Sequence, residues 1–128
     1  MMKLSEAIRL GSTLRPQGFG HLKYRDRTCA WGAALDAINM IEKYNKDNTI
    51  WPIEKAEVIC PHCLQPSDLL SIVIHLNDRC KWSREVIADW VESIENQLLS
   101  TNSSNVESTG MDTNKSNDSN NIDRLVAV

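Results

Sequence analysis

The chain has 128 residues and a formal net charge of −3. That is one domain's worth of chain, without a global basic signature. No apolar run approaches the roughly 20 residues of a membrane span. An amphipathic stretch, not an apolar one, follows Met2-Lys3. These features argue against a membrane-spanning helix and against a secreted scaffold built from the four cysteines, and a cytoplasmic, reducing location is expected.

Residues 3–14 carry Leu4, Ala7, Ile8 and Leu14 near one face, which predicts a short amphipathic helix weakened by Gly11. Arg15 to Gly20 reads as a turn, since Pro16 fixes φ while Gly18 and Gly20 allow positive φ. Residues 21–27 are polar and basic and suit a short extended hairpin arm. The spacing predicts a second helix over 28–44. In it Ala30, Gly32, Ala33, Ala34 and Ala37 permit close approach, and Cys29 is read as core. Residues 45–56 form a loop with Trp51-Pro52, and Glu57-Val58-Ile59 is β-like. Pro66-Ser67-Asp68 then starts a buried helix, with Ser67 as N-cap and Asp68 favoured by the helix dipole. Ser83 caps a last helix whose Val86, Ile87, Trp90, Val91, Ile94 and Leu98 recur at helical spacing, as a core face does.

From residue 100 the composition changes. Ser, Thr and Asn fill fifteen of the twenty-two positions 100–121. Such a segment buries too little apolar surface to offset its ordering entropy, so disorder is expected. It ends in Ile122 to Val128, an apolar peptide shaped for docking or for recognition by a protease, or a neutral tail.

The chemistry concentrates in Cys60, Cys63, His75 and Cys80. Cys60-Pro61-His62-Cys63 is followed by eleven residues, His75, four more residues and Cys80. Zinc takes four such donors in a tetrahedron, and two short-spaced pairs supply them. Any one of these cysteines alone would read as a small buried hydrophobe; four donors together read as a structural zinc site. His62 is the alternative to His75. The rival is redox chemistry at Cys60 and Cys63, whose Cys-Pro-His-Cys motif resembles that of the thioredoxin-class disulfide oxidants. There the first thiol is activated at a helix N-terminus. That reading needs strands flanking the motif in a βαβ unit and leaves His75 and Cys80 without a role.

The charge is unevenly placed. Arg9, Arg15, Lys23, Arg25 and Arg27 lie early, with Phe19 and Tyr24 between them. Glu85, Asp89, Glu92 and Glu95 lie late. The basic segment 9–27 could contact phosphates and stack bases, although a solvated face is the commoner fate of such a run. Ser67 stands where DNA-reading zinc fingers place a core aromatic, and Ile72, Val73 and Ile74 are poor base readers.

The stretch His75-Leu76-Asn77-Asp78, with Trp82-Ser83-Arg84-Glu85 and Ile87-Ala88-Asp89-Trp90, resembles a motif of small bacterial and phage-encoded zinc-knuckle proteins of no settled activity. Lys3 to Arg9 and Pro16-Gln17-Gly18 are similar too. The resemblance covers most of residues 3–95 and implies a mobile-element or bacterial origin. Relatives often carry His where this chain has Cys80, and either residue binds zinc.

The sequence thus predicts a mainly α-helical domain over 1–99, stabilised by a structural zinc knuckle and carrying a short β arm, then a disordered tail over 100–128. The expected role is a non-enzymatic zinc-binding module for protein–protein interaction. Nucleic-acid binding through residues 9–27 ranks second and thiol oxidoreduction third. No phosphate loop or nucleophile elbow supports a hydrolase.

Overall fold

A computed structural model describes residues 2–107. In chain order the elements are α1 (Leu4–Ser12), β1 (Lys23–Tyr24), β2 (Arg27–Thr28), α2 (Ala30–Ala37), a 3-10 turn (Pro52–Lys55), β3 (Glu57–Ile59), β4 (Pro66–Asp68), α3 (Leu69–Asp78) and α4 (Arg84–Glu107). The fold is mainly helical, with two small antiparallel hairpins, β1–β2 and β3–β4. No described helix is long and apolar enough to cross a membrane.

α1 packs against α2 and α4. Leu4, Ala7 and Ile8 of its apolar face are buried, as periodicity predicts, while Leu14 lies beyond the helix and is exposed. Gly11 has a use the sequence hides: a Cβ there would lie 1.7 Å from the Ala33 carbonyl oxygen. The absent side chain lets α1 and α2 meet backbone to backbone. Trp31 lies fully buried on α2, edge-on to Trp51 at 5.4 Å and to Tyr44 at 6.1 Å between ring centroids. Glu54 is buried, and its carboxylate accepts the backbone N–H groups of Ile50 and Trp51.

Several boundaries differ from the sequence reading. α2 stops at Ala37 instead of running to residue 44. Asn39 adopts a left-handed φ of 63°, its N–H bonds Asp36 O, and the Met40 N–H bonds Leu35 O. That pair of bonds is a Schellman cap, which Asn tolerates at the left-handed position. Cys29 is buried, but it caps α2, accepting the Gly32 N–H at Sγ, and is not inside the helix. Asp68, not Ser67, caps α3, accepting the Ser71 N–H at 2.7 Å, because Pro66–Asp68 is drawn into the strand opposite β3.

Ser83 caps α4 as expected, accepting the Val86 N–H. Ile87 and Val91 of the α4 stripe are buried, whereas Val86 and Leu98 stay exposed. The helix continues to Glu107, past the boundary expected at residue 99. Extending a helix already nucleated by packing fixes one residue at a time and requires no new nucleus. The rest of the expected disordered tail, with its apolar end, lies outside the described residues.

Candidate metal centre

The β3–β4 hairpin followed by α3 forms a ββα unit, and all four predicted ligands lie on it or just past its end. Cys60 follows β3. Its N–H bonds Gln65 O, and Leu64 N–H returns to Cys60 O, with Leu64 at a left-handed φ of 64°. This tight turn brings Cys63 back beside Cys60. The backbone N–H groups of His62 and Cys63 donate to Cys60 Sγ at 3.4 and 3.2 Å, as suits a sulfur that carries charge when it ligates.

α3 supplies His75 near its C-terminus, and the turn after it supplies Cys80. Arg79 and Cys80 both donate their N–H to His75 O. Lys81 then takes a left-handed φ of 62°, and Trp82 N–H reaches back to Leu76 O. The chain reverses there, which keeps Cys80 against the helix.

The four donor atoms lie within 4.8 Å of one another, a cluster able to hold a metal ion. His75 Nε2 is 3.3 Å from Cys63 Sγ, and Cys63 Sγ is 3.6 Å from Cys80 Sγ. Bond lengths of about 2.3 Å to sulfur and 2.0 Å to nitrogen in a tetrahedron give edges of roughly 3.5–3.8 Å. The donor set and its spacing therefore suit zinc. A separation of 3.6 Å is far beyond a disulfide bond, and all four cysteines of the chain are free thiols. Cys60 is buried, His75 and Cys80 are half-buried, and Cys63 is exposed. Burial, then the hydrogen bond to Cys63 and the charge of Cys60, push the Cys80 thiol up to about 12. A divalent cation beside Cys80 would reverse that shift and favour the thiolate.

His62 is exposed, with Nδ1 3.5 Å from Cys63 Sγ, and stands outside the four-donor cluster. The surroundings of Cys60 also differ from those of a thiol oxidant. The motif leads into β4, not into a helix N-terminus, and Cys60 is fully buried.

The early basic segment is divided by the fold. Arg9 Nη2 binds both Asp89 and Glu92 of α4 at 2.7 Å, and these hydrogen bonds raise its pKa. Arg15 pairs with Asp36 at 2.7 Å and Lys23 with Glu42 at 3.4 Å. Among the described residues Arg25 and Arg27 have no carboxylate partner; Arg25 lies over the Tyr24 ring and Arg27 donates to Gln17 O. The acidic run on α4 is used within the chain as well, since Glu95 accepts the N–H and hydroxyl of Ser5 at the start of α1.

Asn77 and Asp78, the last two residues of α3, have long-range partners. Asn77 is fully buried and uses all of its amide's bonding capacity. Its Nδ2 donates to Gly18 O and Asp78 Oδ1, and its Oδ1 accepts from Gln17 Nε2 and Ala30 N. Asp78 also accepts the Gly20 N–H. The helix that carries His75 is thereby tied to the 17–20 loop and to the start of α2. The signal for this lay in two polar motifs far apart in sequence, Pro16-Gln17-Gly18 and Asn77-Asp78.

Comparison with known proteins gave no match to this chain among protein-family models, curated proteins or solved structures.

Proposed function

We propose that this protein is a non-enzymatic binding module whose ββα unit is held together by one structural zinc ion. The observation that carries the reading is the convergence of Cys60, Cys63, His75 and Cys80 within 4.8 Å. A catalytic zinc keeps a position open for water, whereas four protein donors fill a tetrahedron. Zinc here would be bound by three thiolates and His75 Nε2 and would supply folding energy instead of chemistry.

Thiol oxidoreduction is disfavoured by the burial of Cys60 and by the strand that follows the motif. Nucleic-acid binding spread over all of 9–27 is disfavoured by the ion pairs of Arg9, Arg15 and Lys23.

Cobalt substitution tests the closed site. The cobalt-loaded chain should show the visible absorption of a tetrahedral thiolate-rich centre, unchanged by added cyanide or azide. A spectrum that shifts with these small anions would reveal an open position and overturn the non-catalytic reading.

A further inference from the structure

We propose that the arm over residues 18–27, together with the turn after α3, is a docking surface for single-stranded nucleic acid. The proposal rests on the binding-module reading and adds a partner and a surface to it. The surface consists of Phe19, His21 and Tyr24 with Arg25, Arg27 and Lys81.

These residues are contiguous. Lys81 Nζ lies 4.4 Å from the centroid of the Phe19 ring. The Gly20 N–H is held by Asp78 Oδ1 at 3.0 Å, which fixes the loop beside the turn after α3. His21 stacks on Tyr24 with ring centroids 5.2 Å apart and planes 29° from parallel. The Arg25 guanidinium lies 5.4 Å from the Tyr24 ring centre. Tyr24 pairs with Arg27 across the hairpin. Gly18 lies so close to Arg27 that a Cβ on it would come within 2.8 Å of the arginine's Cβ.

The rings face solvent in spite of this order. Phe19 is 46% exposed and Tyr24 54%. Large rings that serve the core, such as Trp31, are fully buried. Aromatic faces beside unneutralised cations are what single strands use: bases extend a ring stack while phosphates meet the charges. The fold has neutralised the other early cations, and within residues 18–27 Asp26 is the sole acid. Duplex DNA suits this surface less. Its bases are already stacked, the two-residue strands are too short to fill a groove, and Leu69, Ile72, Val73 and Leu76 of α3 are committed to the core.

Fluorescence anisotropy of the zinc-loaded full chain tests this, with labelled oligodeoxythymidylate, oligouridylate and a duplex of equal length at several salt concentrations. Both single strands should bind more tightly than the duplex, and affinity should fall with salt by a log–log slope of about −0.7 for each phosphate contacted. The ratio of the two single-strand affinities shows which sugar is preferred. Phe19→Ala and Tyr24→Ala should each weaken binding by roughly five-fold or more, Arg25→Ala and Lys81→Ala should reduce the salt slope, and Arg9→Ala should leave binding unchanged. Absence of single-strand binding at low salt, equal binding of the duplex, or indifference to the two ring substitutions would overturn the proposal. Retention of one zinc per chain in the same preparation, with a parental spectrum from a separate cobalt-loaded sample, would show that such a failure leaves the closed zinc site intact.

Discussion

The amide of Asn77, two residues beyond the predicted ligand His75, donates a 2.9 Å hydrogen bond to the carbonyl of Gly18, fifty-nine positions earlier in the chain. The helix that presents His75 and the loop that begins the aromatic arm are therefore one hydrogen-bonded unit. Asn77→Ala should be among the most damaging single polar substitutions. It leaves Ala30 N without this partner in a buried setting, and Gly18 O and one Gln17 donor in part-buried ones. Such a loss costs about 1–3 kcal/mol when buried and stays near the low end for the two part-buried partners, so a total of roughly 3–5 kcal/mol is expected. Urea denaturation of the zinc-loaded protein should show a large fall in midpoint.

Gly11→Ala separates intrinsic propensity from packing. Helix propensity alone favours Ala by about 1 kcal/mol. The new Cβ would meet Ala33 backbone at 1.7 Å, and backbone cannot rotate away. Overpacking of this kind costs about 1–3 kcal/mol and more where the backbone must move. The variant should therefore melt below the parent protein; an equal or higher Tm would show that α1 and α2 are free to separate.

Arg84 is buried, has no carboxylate partner among the described residues, and burial lowers its pKa. Its Nη1 donates to the carbonyl and hydroxyl of Thr28, and its Nη2 to the carbonyls of Ser12 and Arg15. One fork thus joins the end of α1, the following turn, β2 and α4. Arg84→Lys keeps the charge but loses the fork. It should destabilise by about 2 kcal/mol, since one ammonium cannot span both pairs of acceptors. Near-parent stability for Arg84→Lys in thermal denaturation would show that charge alone suffices.

The four-donor cluster was legible in the sequence because ligand spacing is a local property, read from Cys60, Cys63, His75 and Cys80 without tertiary information. The α4 face and the basic arm were legible for the same reason, through periodicity and turn residues. The charge clusters were not. Arg9 meets Asp89 and Glu92 eighty and more positions away, and no local pattern distinguishes a paired arginine from a solvated one. The ends of the helices were hidden as well. α2 is stopped by Asn39 in a left-handed conformation, and Ser67 lost the cap to Asp68 because strand pairing with β3 claimed it. Gly11 read as a weak point since its contact, Ala33, lies on another helix.

Cysteine substitutions divide zinc from redox chemistry. Cys60→Ser and Cys80→Ser should both lower helicity and Tm, because each removes one donor from a shared ion. Under thiol oxidoreduction Cys80 has no role, and insulin-reduction activity would persist in Cys80→Ser.

The most direct test is zinc titration of the chelated chain, followed by circular dichroism and elemental analysis. One zinc per chain should be retained after gel filtration, with helicity and Tm recovering in step and saturating at one equivalent. A chain that holds no zinc and keeps its full helicity and Tm in strong chelator would contradict the structural role assigned to Cys60, Cys63, His75 and Cys80.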